Sequence, residues 1–171
     1  MSETFTIRRG TPDDVPAITE HRRLMFETMG FTDPAQLDAM SAAFAPWVTE
    51  RLACGEYLAW LAENEQGFAV SGAGLWLREF PPNPGDMCGQ RGHILNVYTY
   101  PDYRRRGFAK ELVWRALEWC RDNGVNAVTL NYTDAGRPIY ESLGFKVGHG
   151  MLMWSKDTPP RNSDSDDGNN T

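Results

Sequence analysis

The chain has 171 residues, of which 41% are hydrophobic and 23% charged, and its formal net charge at pH 7 is −6. These values are typical of one soluble globular domain with a full hydrophobic core. The acidic balance argues against a general attraction to nucleic acid, and no apolar run approaches the length needed to cross a bilayer. We therefore expect neither a nucleic-acid partner nor a membrane partner.

Cysteine and histidine usage bears on metal binding and on compartment. The three cysteines are odd in number and form no CxxC motif, and the three histidines are widely separated. No metal site is expected, and the cysteine pattern favours a reducing compartment. The first ten residues, MSETFTIRRG, lack a charged leader followed by an apolar core, so we expect a cytoplasmic protein.

The first half of the chain predicts a strand, two helices and a hairpin. Residues 4–9 alternate apolar and polar side chains, and Thr11 and Pro12 then suit the cap and first position of a helix that runs to about Gly30. A second helix is predicted over residues 33–54, either continuous or broken near Pro46. Residues 56–63 and 67–80 predict two strands around the turn NEQG.

The second half predicts alternating strands and helices. After a Pro/Gly-rich loop, HILNVYTY (93–100) has apolar residues on both faces, as in a central strand. A helix ending at Gly124 follows it, then a strand over residues 125–132, a short helix over 134–143 and strand material over 145–154. The sum is a mixed α/β domain over residues 1–156. Residues 157–171 are rich in Asp, Asn, Ser and Pro and predict a disordered acidic tail.

Three consecutive arginines stand where the helix after the central strand begins. The N-terminus of a helix carries partial positive charge, so Arg104, Arg105 and Arg106 repel it unless an anion lies between them. Gly107 permits close approach to the backbone, and Ala109 keeps the next turn small. The segment therefore predicts either a pyrophosphate-binding nest or a merely solvated basic helix start. Binding to nucleic-acid phosphates is disfavoured because no wider basic face accompanies the arginines.

The surrounding stretch, NVYTYPDYRRRGFAKELV, resembles the acetyl-CoA-binding motif of the GNAT superfamily of N-acetyltransferases. That motif consists of a strand, Pro-x-x, then Gln or Arg-x-x-Gly-x-Gly or Ala, and a helix; Arg104, Gly107 and Ala109 occupy its key positions. Downstream, GRPIYESLGF resembles the second signature of the family, in which a helix carries a tyrosine and ends in Leu-Gly-Phe. The resemblance covers residues 4–154 and implies a single-domain GNAT-like fold with splayed central strands.

The resemblance also implies a site for acetyl-CoA as co-substrate. The backbone N–H groups from Arg104 to Ala109 would hold the pyrophosphate, and Lys110 or Arg105 would reach a phosphate as well. The backbone of residues 97–99 would pair with the pantetheine arm, with an N–H near Val97 facing the thioester oxygen. Asn131 either touches the same arm or only forms a turn. The implied cofactor residues are Val97, Tyr98, Thr99, Arg104, Arg105, Arg106, Gly107, Phe108, Ala109, Lys110 and Asn131.

The implied reaction is direct attack of an amine on the thioester in a ternary complex. Tyr140 matches the family tyrosine near the CoA sulfur and would act as general acid; the alternative is a tyrosine that only packs the last helix. The base is His93, at the start of the central strand, or Glu79 acting through water, or a water chain alone. A non-catalytic acyl-CoA sensor is the competing function, and acyl groups larger than acetyl stay open.

The acceptor is expected to be a small-molecule or peptide amine, and the protein a monomer or homodimer. Acids outnumber bases in the first two predicted helices, which favours a cationic amine. Several apolar residues suit either an acceptor pocket or the core: Met25, Phe26, Met29, Phe31, Trp47 and Trp76.

Overall fold

In the computed structural model, residues 3–148 are described. The five strands are β1 (Thr6–Arg9), β2 (Tyr57–Glu63), β3 (Ala69–Glu79), β4 (Gln90–Thr99) and β5 (Ala127–Leu130). The four α-helices are α1 (Val15–Thr28), α2 (Pro34–Cys54), α3 (Phe108–Asp122) and α4 (Arg137–Ser142). Short 3-10 turns precede α1 and follow β4.

One mixed sheet with the spatial order β1-β2-β3-β4-β5 organises the domain. The first three pairings are antiparallel, and β4 pairs with β5 in parallel. The parallel pair is joined by α3, so β4, α3 and β5 form the predicted βαβ unit. The mixed α/β fold class predicted from the sequence is confirmed.

Strands β4 and β5 diverge halfway along β4. Their pairing ends at Ile94 and Leu130, although β4 continues to Thr99. On its other side β4 contains a β-bulge, because Gly74 is opposite Leu95 whereas Gly72 is opposite Tyr98. The bulge and the early end of pairing open the sheet at the carboxyl ends of β4 and β5. This is the splay that the sequence resemblance implied.

Helices cover both faces of the sheet. The core on the α3 face contains Leu75, Ile94 and Leu112, all nearly inaccessible to solvent. The core on the other face packs α1 and α2 against β2 through residues such as Ile18 and Val48. The bulge places Leu95 and Asn96, although adjacent in sequence, toward this second face.

The structure decides one open alternative and corrects two predicted boundaries. The second helix is continuous, because Pro46 lies on its exposed side, where water can satisfy the carbonyl that loses its N–H partner. Strand β4 begins at Gln90, so His93 is its fourth residue rather than its first. Residues 145–148 are not a strand, because Phe145 turns back and donates its backbone N–H to the Tyr140 carbonyl at 3.1 Å. The remaining predicted strand residues, 149–154, and the acidic tail lie outside the described residues.

Candidate active site

A cleft of about 900 Å³ opens where β4 and β5 diverge. Its walls include the second half of α1, the part of β4 from His93 to Thr99, the start of α3 and, beyond β5, residues 131–133, 135, 139 and 140. In open α/β sheets, ligands bind at the carboxyl ends of parallel strands. The cleft is therefore the candidate active site.

The loop before α3 has the backbone of an anion nest. Arg105 and Gly107 have φ values of 61° and 85°, in the left-handed region. Alternation with such residues points successive N–H groups toward one side. Among residues 3–148, no acceptor is paired with the backbone N–H groups of residues 105–110. The loop thus presents a row of free donors at the positive end of α3.

Glycine at position 107 is explained by its backbone alone. A Cβ at that position would meet nothing within 4 Å, so space is not the constraint. The constraint is the positive φ, because a residue with a side chain is strained in that conformation. The same strain is present at Arg105, which has a side chain and holds a left-handed conformation at the mouth of the cleft.

The three arginines of the loop point in different directions. Arg104 lines the cleft, and its Nε donates a hydrogen bond to the Thr99 carbonyl at 3.0 Å. Arg105 also lines the cleft. Arg106 does not: its Nη1 donates to Glu3 Oε2 at 2.9 Å, and its guanidinium lies 5.5 Å from the centre of the Phe5 ring. The structure therefore brings two of the three guanidinium groups to the site, and the third ties the loop to the N-terminal segment.

The other residues implied as cofactor ligands surround the same opening. Residues 97–99 form the part of β4 beyond its pairing with β5, and Asn131 directly follows β5. The start of α3 supplies the opposite wall. All of them line the cleft: Val97, Tyr98, Thr99, Phe108, Ala109, Lys110 and Asn131.

Two of the three predicted catalytic residues also line the cleft. Tyr140, on α4, packs edge-on against Phe145, and burial raises the pKa of its phenol, which keeps the proton on at neutral pH. His93 Nδ1 lies 2.9 Å from Thr129 Oγ1. Burial, with a smaller contribution from the charge of Arg78, lowers the pKa of the His93 imidazole. His93 is therefore neutral over a wider pH range than a solvated histidine.

Glu79 is placed differently from the other two. It is exposed, ends β3 opposite Gln90, and is not among the residues that line the cleft. The structure does not bring this carboxylate to Tyr140 and His93.

A buried polar chain supports the bulge, and sequence reasoning missed all of its members. Asn96, in the left-handed region with φ 55°, is 4% exposed. Its Nδ2 donates to the Tyr57 hydroxyl at 2.9 Å, and its Oδ1 accepts from Arg22 Nη1 at 2.7 Å. Burial raises the pKa of Tyr57 to about 12, so the hydroxyl stays protonated. Gly74 leaves room for it, because a Cβ there would overlap the Tyr57 hydroxyl.

The apolar candidates for acceptor binding divide into two groups. Met25, Phe26, Met29 and Trp76 line the cleft. Phe31 and Trp47 do not, and Trp47 instead packs against neighbouring rings in the core beneath α2. Sequence spacing alone could not separate these groups, because the residues lie on α1, α2, β3 and the loop between the helices, and only the packing of these elements decides which side chains reach the cleft.

Within residues 3–148, no cluster of three or more His, Cys, Asp or Glu side chains could hold a metal ion. None of the helices in this range is long and apolar enough to span a membrane.

Known proteins resemble this chain in both sequence and structure. Residues 16–145 match the family model described as "Acetyltransferase (GNAT) family". The crystal structure of a GCN5-related N-acetyltransferase from Ralstonia eutropha JMP134 matches with a TM-score of 0.81 and 34% identity, over 88% of this chain and 97% of that one. A predicted acetyltransferase from Clostridium acetobutylicum, solved with acetyl-CoA, shares the fold with a TM-score of 0.80 at 22% identity, over 88% and 96% of the two chains.

Similarity to a curated relative is more local. The glucosamine 6-phosphate N-acetyltransferase of Trypanosoma brucei brucei is 38% identical over 56 residues. These residues are 33% of this chain and 38% of the relative, so the match covers well under two thirds of that protein.

Proposed function

The chain belongs to the acetyltransferase (GNAT) family, and from this premise we propose that it transfers an acetyl group from acetyl-CoA to the primary amine of a small-molecule or peptide acceptor. The observation that carries the proposal is the row of free N–H groups over residues 105–110, which borders the cleft between β4 and β5. Such a row suits a pyrophosphate, and the cleft beside it has room for the acyl-bearing arm.

In this proposal, acetyl-CoA binds along the loop and the open edge of β4. The N–H groups of residues 105–110 hold the pyrophosphate, and the side chains of Arg105 and Lys110 neutralise phosphate charge. The pantetheine arm lies beside residues 97–99, where β4 is no longer paired with β5, and pairs with their backbone groups. This brings the thioester to the bulge.

The proposed reaction is a direct transfer between two bound substrates. The neutral amine attacks the thioester carbon, and a backbone N–H near Val97 stabilises the oxyanion that forms. His93 accepts the proton from the amine nitrogen, directly or through water, because its lowered pKa keeps the imidazole neutral. The C–S bond then breaks, and Tyr140 gives its proton to the leaving thiolate.

The test is calorimetric titration of the protein with acetyl-CoA and, in parallel, with 3′-dephospho-CoA. We expect micromolar binding of acetyl-CoA, followed by release of free thiol when a panel of primary amines is added. Binding without turnover on any amine would favour an acyl-CoA sensor. No binding of either ligand would contradict the assignment of the loop.

A further inference from the structure

Arg22, on α1, occupies an unusual position in the wall of the cleft. Its guanidinium lies between two aromatic rings, 4.9 Å from the centre of Phe26 and 4.7 Å from that of Phe44. Nη1 is held by Asn96 Oδ1, and Nε is buried without a partner among the described residues. The rings and Asn96 fix the guanidinium next to the bulge, where the thioester is proposed to lie.

Arg22 has no acidic partner in the part of the chain that the structure describes. Among residues 3–148, no Asp or Glu oxygen lies within 4 Å of its nitrogens. Arg23, the next residue, differs in this respect, since it pairs with Glu27 at 3.1 Å and with Asp38 at 2.6 Å. The guanidinium is partly withdrawn from water, with Nε fully buried, and this burial lowers the pKa of Arg22. A half-buried charge of this kind is costly unless a partner compensates it.

The rest of the cleft reinforces this imbalance. None of the described residues that line it is Asp or Glu, whereas Arg104, Arg105 and Lys110 contribute positive charge at its other end. The acidic residues of α1 and α2, which favoured a cationic acceptor, lie outside the lining. The cleft is therefore suited to an acceptor with a negative group beside its amine, not to one with a second cation.

We propose that Arg22 recognises an anionic group on the acceptor, a carboxylate or a phosphate, and so holds the amine at the bulge. This proposal rests on the function proposed above and specifies its acceptor class. With Nε buried and one N–H of Nη1 given to Asn96, the donors left for the anion are Nη2 and the second N–H of Nη1. Neighbouring N–H groups of a guanidinium suit the two oxygens of a carboxylate or phosphate. Met25, Phe26 and Trp76 provide apolar walls that strengthen this pairing by excluding water.

The experiment uses small anions as probes of the acceptor half of the cleft. Benzoate, inorganic phosphate and the neutral analogue benzamide are titrated against protein saturated with CoA, so that the loop at residues 105–110 is occupied. The variants are Arg22→Met and Arg22→Lys, with Arg23→Met as a matched control from the same helix. Binding of benzoate and benzamide is followed by saturation-transfer NMR of the probe, and binding of phosphate by calorimetry at constant ionic strength.

We expect benzoate, phosphate or both to bind the wild type and Arg23→Met equally, and benzamide to bind neither. Arg22→Met should lose about tenfold or more of the anion affinity, because a charged bidentate pair is lost. Arg22→Lys should retain part of it. Preference for benzoate over phosphate, or the reverse, identifies the anion.

Two results would overturn the proposal: no anion binding to the wild type, or equal binding by wild type and Arg22→Met. The titration is repeated without CoA to separate this proposal from the proposed function. If CoA does not bind but anion binding still depends on Arg22, the proposed function fails and the anion site stands. If CoA binds and anion binding does not depend on Arg22, the anion site fails and the proposed function stands.

Discussion

Single residues of the loop before α3 show what local sequence can reveal. A role for Gly107 in anion binding was predictable, because the glycine, the neighbouring arginines and the helix N-terminus all lie within a few residues of one another in the sequence. The separate role of Arg106 was not, since its partner Glu3 lies 103 positions away in the chain. Arg22 and Asn96 were missed for the same reason, because their pairing spans 74 positions and depends on the bulge.

The role of Gly107 can be separated from its backbone strain. Gly107→Glu places a carboxylate in the row of free N–H groups, so we expect acetyl-CoA affinity to fall by at least about two orders of magnitude, measured by calorimetry. Gly124→Glu is the matched control, because Gly124 also has a positive φ and open space around a Cβ, at the other end of α3. Both variants should lose similar stability, and only the first should lose binding. Equal affinities would remove the loop from the cofactor site.

Tyr140 can be tested without disturbing its packing. Tyr140→Phe keeps the ring against Phe145 and removes only the phenolic hydroxyl group. We expect kcat to fall by about 10²-fold or more, as for loss of a general acid, with little change in the Kd of acetyl-CoA. Steady-state kinetics and calorimetry measure the two quantities. An unchanged kcat would assign Tyr140 to packing alone.

At the scale of elements, the bulge in β4 is the feature on which the site depends. Patterning predicted the strand, but a strand pattern does not reveal that two residues oppose one on the neighbouring strand. The small residues GAG at positions 72–74 were the available signal, since Gly74 makes room for Tyr57. That signal is visible only once the register of β2, β3 and β4 is known.

The support of the bulge can be tested at Tyr57. Tyr57→Phe leaves the buried Asn96 Nδ2 without its acceptor, so we expect a loss of about 1–3 kcal/mol in the free energy of unfolding. Turnover should also fall, because the bulge is no longer held in position. Urea denaturation and kinetics measure both effects. Tyr103→Phe serves as the control for stability, since the Tyr103 hydroxyl has no protein partner among the described residues. Identical stability of the two variants would show that the buried chain does not hold the bulge.

At the scale of the whole molecule, element order was predictable because each helix and strand carries its own periodicity and punctuation. The position of the cleft also followed, because parallel strands expose their carboxyl ends at one edge. The size and charge of the cleft did not follow. They depend on which side chains of α1 turn toward β4, and this is decided by packing between elements distant in the chain.

The stability of the whole domain should fall at acid pH because of His21. This side chain is 2% exposed, and its Nε2 lies 2.9 Å from the Ala69 carbonyl. Burial lowers its pKa, while the bond to Ala69 and the charge of Glu20 partly oppose the shift. Below about pH 6.5 the unfolded chain therefore binds a proton that the folded one does not, so stability decreases as pH falls, by up to about 1.4 kcal/mol per pH unit.

Urea denaturation at pH 7.5 and pH 5.0 measures this dependence. His21→Leu should show a smaller loss between the two pH values than the wild type. His93→Leu is the comparison, because His93 is shifted in the same direction but is less buried. An unchanged loss in His21→Leu would assign the acid sensitivity to other groups.

The open half of β4 has a consequence for the protein before it meets its substrate. In the described part of the chain, residues 95–99 have no strand beside them on the β5 side. Such an edge is a template for strand addition by another chain, and thus an aggregation hazard. Any ligand that binds there adds stability by mass action, about 2.7 kcal/mol at a hundred times its Kd. If CoA binds along this edge as proposed, it stabilises the native state and covers the edge, so storage with CoA should keep the protein monodisperse longer than storage without it.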